Sequence, residues 1–423
     1  MKPHCLAFLS ILSLVSLIAA EPATSEIKTI TATGEYRMGD NDTRTDAKRL
    51  ALLDAKRLAL EQAGTYLESV TEVKNLGVAR DELNAYTAGI VEVIELSAKD
   101  VLEGATHIIR VEVTAKIDTT MVARQIDALR KNKTARAELL AARQEADRLR
   151  QENDALHKRL AAAKSITEIE TLTQKRREVL TDQDVNSLLA QAQVALGGVD
   201  WNFVAGTSSA TGRARARTLI DQALALAPSD PHAHTKMGTL LLEEGNPDGA
   251  IVEYRTALRL NPNLGEAHGG IGLALKAKGD LDGAIAEYRA ALRLEPDDIV
   301  AHNNLGYALV VKGNLDEAIA ELRTALRLKP DLVEAYNGIG VALRAKGDLD
   351  GAIAEYRAAL SLRPPDYMPD YAIVHYNFGG ALWAKGRRAE AAREFREYLR
   401  LTPDTPTNRR KIETARAMLR ELE

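Results

Sequence analysis

The sequence predicts a mainly α-helical protein: an α-solenoid of helix pairs that follows a helical linker and a small N-terminal α+β domain. Three observations support this fold class. Residues 228–403 repeat with a period of 34 residues, and residues 126–180 are charged with apolar positions in heptads. Residues 26–125 contain short segments in which apolar and polar side chains alternate, which is the pattern of half-buried strands.

Composition narrows the function classes. The 423 residues are 45% apolar and 27% charged, which is typical of a folded protein. The formal net charge of -4 gives no global basic field, so we expect no nucleic-acid partner. Cys5 is the single cysteine, which excludes an intrachain disulfide and a cysteine-based zinc site.

The N-terminus has the pattern of a secretory signal. Lys2 precedes an apolar run from Leu6 to Ala20, and Ala19 and Ala20 offer a small-residue cleavage site. The run is shorter than the roughly 20 residues that span a bilayer. We therefore expect residues 1–20 to be removed and the protein to be exported to a bacterial periplasm. The alternative is that the segment is not cleaved and forms an inner-membrane anchor. If it is cleaved, we expect membrane contact only through a partner.

Residues 26–125 predict an α+β domain with an antiparallel sheet. Its expected elements, in order, are a strand around Ile30–Met38, an amphipathic helix from Asp46 to Ala63 ended by Gly64, a strand at 66–74, a short helix at 78–88, a strand at 90–97 and a strand at His107–Ile117.

The domain resembles the N-terminal domain of flagellar assembly protein T. The similarity lies in a strand ending in ATGEY, the helix DAKRLALLDAKRLALEQAG and the late strand HIIRVEVTAKI. The resemblance implies a location in the cell envelope and a structural role.

Residues 126–180 predict a helical or coiled-coil linker. Two series of heptad positions can be laid through it: Ala135, Ala142, Leu149, Leu156 and Ala163, with Leu139, Ala146, Asn153 and Leu160 as companions. An asparagine at a core position can fix register or oligomer state. Two interpretations stay open: a dimeric or trimeric stalk, which would make the protein a homo-oligomer through 126–180, or a single solvated helix between two domains.

Residues 184–423 predict the solenoid. Residues 184–227 form a degenerate first unit, residues 228–403 form five units, and the polar helix at 404–423 caps the last apolar face. The period is marked by prolines and glycines at Pro228, Pro262, Pro296, Pro330, Pro364, Gly238, Gly272, Gly306 and Gly340. A period of 34 residues is typical of stacked helix–turn–helix units.

The unit GEAHGGIGLALKAKGDLDGAIAEYRAALRLEP is similar to the tetratricopeptide repeat (TPR) family. The resemblance implies that Gly272 lies where a second helix crosses, that Gly279 ends the first helix, and that Ala284 and Ala291 let paired helices approach. Tyr288 would fill the space between units.

Some positions depart from the family pattern. Leu322 replaces the Tyr or Phe of sister units, and Tyr398 replaces Ala, so the last unit would pack more loosely or accept a different cap. Thr235 and Thr239 stand where some members hold a ligand carboxylate with Lys and Asn, so that specific function is not expected.

Four histidines share one register, namely His234, His268, His302 and His375, with Tyr336 in the remaining unit. They could be metal ligands or packing residues. No carboxylate or thiolate completes a ligand set in the sequence, and packed helices separate the histidines by roughly 8–10 Å, so we favour packing. No metal or cofactor is expected.

The TPR resemblance implies a groove lined by the first helices, which would bind a protein or peptide ligand. The residues that it places there include Lys236, Glu243, Lys276, Asn303, Asn304, Tyr307, Asn337, Arg344, Tyr376, Asn377 and Trp383. Asparagines can donate to and accept from a peptide backbone, and the aromatic residues could anchor apolar side chains. The alternative is that the asparagines are ordinary surface residues.

The sequence contains no phosphate loop, HExxH zinc helix or GxSxG elbow. We therefore expect a non-catalytic scaffold or adaptor. Two alternatives are an envelope enzyme or enzyme subunit with its active site in residues 26–125, and a purely architectural coiled-coil oligomer.

Overall fold

The computed structural model describes residues 27–39, 42–69, 83, 87, 91, 93–118, 122, 126, 133–163, 165–196, 210–362, 369–405 and 408–422. The chain divides into two units, Met1–Ala128 and Leu129–Glu423. The segment 1–20 that we expect to be a signal lies outside the described residues.

The first unit holds a three-stranded antiparallel sheet in the order β1-β3-β2. The strands are β1 (Ile27–Arg37), β2 (Val93–Glu103) and β3 (Thr106–Asp118), and the helix α1 (Arg44–Ser69) packs on β1 and β3. The expected alternation in β1 is confirmed, with Ile30 and Ala32 buried and Thr31 exposed. The predicted α+β domain with an antiparallel sheet is thus present.

Strand β1 and helix α1 approach each other closely at Gly34. A Cβ on Gly34 would lie 2.2 Å from the carbonyl oxygen of Ala51 and from the amide nitrogen of Ala55. Every fourth residue of α1 is fully buried along this contact, at Ala47, Ala51, Ala55, Ala59, Ala63 and Leu67. Small side chains on the helix and a glycine on the strand together permit the approach.

Three predicted boundaries in this unit were wrong. Helix α1 continues through Gly64 to Ser69 because Leu67 extends its buried stripe, so the strand expected at 66–74 begins as helix. The strand expected at 90–97 is β2 at Val93–Glu103, paired along β3. Of the short helix expected at 78–88, the structure describes Leu83 and Thr87, which are helical and buried.

The second unit begins with a helical hairpin, α2 (Lys133–Ala162) and α3 (Ile166–Ala195). Its two helices run antiparallel because the chain reverses between them, and Asn153 of α2 meets Arg176 of α3. Their shared core contains Leu149, Leu156 and Leu160 from α2 with Leu172 and Val179 from α3.

The hairpin differs from the single solvated helix expected at residues 126–180, whereas pairing of two chains through this segment stays a prediction. The heptad positions Leu149, Asn153, Leu156 and Leu160 are buried within one chain rather than solvated on a single helix. Asn153 makes a contact within the hairpin: the Arg176 guanidinium donates through Nε to Asn153 Oδ1 at 3.1 Å. The linker boundary predicted at residue 180 falls inside α3, whose C-terminal half packs on α4 (Ala210–Leu226) as the first helix of the degenerate unit.

Five further helix pairs and a final helix complete the array. The pairs are α5 (Pro231–Glu243) with α6 (Pro247–Leu260), α7 (Gly265–Lys278) with α8 (Leu281–Leu294), α9 (Ile299–Lys312) with α10 (Leu315–Leu328), α11 (Val333–Ala345) with α12 (Leu349–Ser361), and α13 (Pro369–Ala384) with α14 (Arg388–Leu401). The last helix is α15 (Arg409–Leu422), where a cap was predicted.

Glycines at two repeating positions permit the tight turn within each helix pair and the close approach of its two helices. The turn glycines, such as Gly279 at φ +85°, adopt the left-handed conformation that favours glycine. The glycine in the middle of each first helix faces the large side chain of the second helix. A Cβ on Gly272 would lie 2.6 Å from the Tyr288 ring. Because Ala284, Ala291 and Tyr288 are all fully buried, the predicted roles of these positions are confirmed.

The departures from the repeat are compensated locally. Near Leu322, a Cβ on Gly338 would meet both the leucine side chain and the Tyr307 ring, so Tyr307 fills volume that sister units give to a tyrosine of the second helix. Tyr398 is buried, with its ring 5.1 Å from that of Tyr376. The last unit is therefore closed by a different cap rather than packed more loosely.

Within the described part of the chain, the search for membrane-spanning segments found no helix with the necessary length and apolar character.

Candidate functional site: the inner face of the first helices

The first helices of the pairs form one continuous surface. Helix α7 contacts α5 and α9, and α11 contacts α9 and α13, so neighbouring first helices lie side by side. We call this surface the inner face. All ten residues predicted to bind a peptide lie on these five helices: Lys236, Lys276, Asn303, Asn304, Tyr307, Asn337, Arg344, Tyr376, Asn377 and Trp383.

The asparagines of the inner face are mostly buried and are not freely available to a ligand backbone. Asn303, Asn304 and Asn337 are only 3–5% exposed. Asn337 donates through Nδ2 to the Tyr307 hydroxyl at 3.1 Å and accepts from Asn377 Nδ2 at 2.9 Å. The amide of Asn337 is therefore engaged by its neighbours, so a ligand backbone would have to displace hydrogen bonds that already exist.

Tyr307 continues this network by donating its hydroxyl hydrogen to the Glu334 carbonyl oxygen at 2.7 Å. The hydrogen bonds join α9, α11 and α13 across three successive units. Buried polar groups that satisfy one another stiffen the structure around them. The network thus holds the inner face in one geometry.

Two other predicted residues are also occupied. Lys236 pairs with Glu266 at 3.0 Å, and the ring of Tyr376 packs on Phe395 and Tyr398. The two threonines that stand where some family members hold a ligand carboxylate are engaged as well. Thr235 and Thr239 donate their hydroxyl hydrogens to backbone carbonyls of their own helix, at 2.9 and 3.1 Å.

Lys276, Arg344 and Trp383 remain available to a ligand. The side chains of Lys276 and Arg344 are half-buried, and neither has a hydrogen bond or ion pair within the described residues. Burial lowers the pKa of Lys276, because removal of water disfavours the charged form. Trp383 is 42% exposed, which is unusual for so large an apolar ring. The peptide-binding role of the ten residues stays a prediction.

The histidines reveal a contact that the sequence analysis missed. In each of four units, Nδ1 of the histidine lies 2.6–2.7 Å from a glutamate of the second helix, in the pairs His234–Glu253, His268–Glu287, His302–Glu321 and His375–Glu394. The glutamate always follows 19 residues later. That recurrence is visible in the sequence and could have shown the pairing.

The pairs bear on the metal-site interpretation of the four histidines. Each pair has one histidine and one carboxylate, fewer than the three protein ligands of a typical zinc site. Among the described residues, no group of three or more His, Cys, Asp or Glu side chains could hold a metal ion. The pairs join the two helices of a unit, as packing residues do.

Comparison with protein-family models agrees with this geometry. Residues 210–263 and 303–367 match a model described as tetratricopeptide repeat, and residues 272–312 match one described as TPR repeat. The helix pairs within residues 210–263 and 272–367 therefore match tetratricopeptide repeats. A search of curated proteins gave no significant match.

Several solved structures resemble the TPR array. The thermophilic TPR protein TTC0263 of Thermus thermophilus is 21% identical, with 44% of this chain and 99% of that chain covered and a TM-score of 0.38. Pseudomonas aeruginosa pilF is 18% identical, with 56% and 98% covered and a TM-score of 0.43. YrrB, described as a TPR protein with an unusual peptide-binding site, is 22% identical, with 47% and 91% covered and a TM-score of 0.34.

The repeat fold itself suits one class of function. Stacked helix pairs present an extended surface on which a protein or peptide partner can lie. TPR folds are typically non-catalytic, and the fold is that of a protein–protein interaction scaffold.

Proposed function

We propose that the protein is a non-catalytic scaffold, exported to a bacterial periplasm, that binds an extended segment of a partner protein on the inner face of its TPR array. One observation carries the proposal. The inner face presents an exposed indole, Trp383, and two half-buried cations, Lys276 and Arg344, that make no hydrogen bond or ion pair within the described chain. Such groups gain free energy when a ligand covers or pairs them.

Trp383 is the expected apolar anchor. Tryptophan combines a large apolar area with a polar N–H, which is why it is enriched among residues that dominate binding energy. It lies at the end of α13, the helix that also carries Asn377, a member of the stiff network with Tyr307 and Asn337. A partner segment that crosses this network would lose little conformational freedom from the scaffold side.

The test compares three full-length baits in envelope extract: wild type, Trp383→Ala, and the matched control Val252→Ala. Val252 is 61% exposed but lies on α6, a second helix, away from the inner face. We expect wild type and Val252→Ala to retain a common protein whose affinity for Trp383→Ala is at least about tenfold weaker. Equal retention by all three baits, with the helical circular dichroism unchanged, would refute inner-face binding.

The other parts of the chain fit a scaffold. We propose that the N-terminal α+β domain resembles that of flagellar assembly protein T, has a structural role in the cell envelope, and docks to envelope machinery or to a second copy. The heptad leucines Leu149, Leu156 and Leu160 are buried inside the hairpin of α2 and α3, which favours an adaptor over a purely architectural coiled-coil oligomer. Mass spectrometry of the intact protein tests export. A mass that corresponds to a chain beginning at Glu21 would support signal cleavage, whereas a mass that includes residues 1–20 would support the inner-membrane anchor.

A further inference from the structure

The charges of the inner face are not balanced by one another. Glu266 is paired with Lys236, and Glu243 and Glu334 make polar or electrostatic contacts of their own within the chain. The acidic groups of this face are therefore engaged. Lys276 and Arg344 are left with no ion pair in the described structure, and both are positive.

The two cations differ from the many arginines on the second helices. Arg255 and Arg293, for example, are exposed to solvent, whereas Lys276 and Arg344 are half-buried. Water around Lys276 is displaced enough to lower its pKa. A cation that has lost part of its hydration gains more from an incoming carboxylate than an exposed one does.

Space for a ligand exists beside Lys276. A Cβ on Gly269, two turns earlier on the same helix, would meet no atom within 4 Å. The following units carry the side chains of Asn303 and Asn337 at this position. The inner face is thus open at α7. Arg344 lies farther along, and its Nη1 is 2.8 Å from where a Cβ of Gly380 would be, so it leans from α11 toward α13.

The spacing of the cations sets the spacing of a ligand's charges. Lys276 and Arg344 lie on α7 and α11, with α9 between them and in contact with both. With packed helices about 8–10 Å apart, the two side chains are separated by roughly 16–20 Å. An extended chain rises about 3.3 Å per residue, so roughly five or six residues cover this distance.

From these observations we propose that the inner face selects an acidic, extended peptide segment, with one carboxylate at Lys276 and a second about six residues away at Arg344. Six is favoured over five because residues an even number apart point to the same side of an extended chain. An apolar side chain beyond the second carboxylate would reach Trp383. This inference rests on the proposed function, because it specifies the ligand of the same surface.

The experiment has two stages and uses the full chain. First, a displayed library of random peptides of about twelve residues, long enough to span both cations, is selected on wild-type protein. We expect the recovered peptides to be enriched in pairs of Asp or Glu about six residues apart. Second, the dissociation constant of one recovered peptide is measured by fluorescence anisotropy, beside a version in which its acids are replaced by Asn and Gln.

The variants separate charge from fold. We expect Lys276→Ala and Arg344→Ala each to weaken the affinity for the acidic peptide about tenfold. The affinity for the Asn/Gln peptide should not change with either substitution. Gly269→Tyr should also weaken binding, because it fills the open space without changing charge. The matched control Arg255→Ala/Arg293→Ala removes two exposed cations from second helices and should leave the affinity within about twofold, and added salt should weaken wild-type binding.

The outcomes distinguish this inference from the proposed function. If Gly269→Tyr and Trp383→Ala abolish binding of recovered peptides that show no acidic enrichment, the inner face binds peptides but the charge rule is wrong. If no peptide is recovered, or if recovered peptides ignore all inner-face changes, both proposals fail. If the control double variant weakens binding of the acidic peptide as much as Lys276→Ala/Arg344→Ala does, the attraction depends on overall charge, and the assignment to these two cations is overturned.

Discussion

Two adjacent glycines show how much the position of one residue decides in this fold. Gly269 and Gly270 both lie in the middle of α7. A Cβ on Gly270 would be 2.3 Å from Cζ of Tyr254, a fully buried ring, whereas one on Gly269 would meet nothing within 4 Å. The Tyr254 ring cannot retreat, because it is packed in the core and its hydroxyl lies 3.2 Å from that of Thr239.

Alanine should therefore have opposite effects at the two positions. Gly270→Ala should destabilise the protein by about 2–3 kcal/mol through overpacking. Gly269→Ala should stabilise it by up to about 1 kcal/mol, because alanine is the better helix former. Thermal unfolding of the two variants beside wild type measures both effects. A loss of stability in Gly269→Ala as large as that in Gly270→Ala would mean that the inner face at α7 is closed.

At the scale of the helix pair, the contacts of His302 favour the protonated form of its ring. The His302 ring lies with Nδ1 at 2.6 Å from Glu321 Oε2 and Nε2 at 2.9 Å from the Pro296 carbonyl oxygen. A backbone carbonyl and an ionised carboxylate can only accept, so these contacts favour the imidazolium form, in which both ring nitrogens donate. The hydrogen bond with Glu321 is the main cause of the raised pKa of His302.

The sign of the pH dependence follows. Because the pKa of His302 is higher in the folded state, protonation stabilises the fold. This stability is fully present at a pH below the unfolded-state pKa of about 6.5, and it is lost as the pH rises through the folded-state pKa. We expect His302→Gln to lower the apparent melting temperature more at about pH 5 than at about pH 9. The exposed His232, on α5, is the matched control, and His232→Gln should show no such difference. An equal loss at both pH values would mean that the ring acts through packing alone.

One unit breaks the pattern and supplies a second comparison at the same scale. Tyr336 replaces the histidine, and Glu355, at the position of Glu321, has a pKa raised by burial. Because its charged form is disfavoured in the fold, Glu355→Gln should stabilise the protein at neutral pH, by no more than about half a kcal/mol given its partial exposure. Glu321→Gln should destabilise it by about 1 kcal/mol, since it removes the charge that His302 pairs with.

The elements also show where sequence patterns stop being informative. The 34-residue period located every helix pair from α5 to α14, because glycine, alanine and proline each have a local steric reason to recur there. The heptads of residues 126–180 left a stalk and a single solvated helix open, because a heptad pattern does not say which helix, if any, covers its apolar positions. The break between α2 and α3 lets one chain supply both sides. Likewise, the inner-face position of the asparagines was predictable, whereas their mutual hydrogen bonds depend on the spacing between units.

Across the whole array, stability is distributed among neighbours. The core around Tyr254 and Tyr288 is a different cluster from the one around Tyr356 and Phe395. The second cluster ends at α15, where Ile412 and Ala415 are buried. Arg388 also donates to the Glu421 carbonyl oxygen, which joins α14 to this final helix. Because each unit of a solenoid contacts only its neighbours, damage at one end should spread only a short distance.

Removal of residues 404–423 tests this locality. The truncation exposes the face of α14 that buried Ile412, at a cost of about 2 kcal/mol or more. We expect amide hydrogen exchange to become faster in α13 and α14 and to stay near the wild-type rate in α5 to α8. Ile412→Ala should give a smaller effect in the same helices, and Arg410→Ala, at an exposed position of α15, should give none. Faster exchange throughout the array would instead show that the units unfold together, and the inner face would then be stabilised as a whole by its terminal cap.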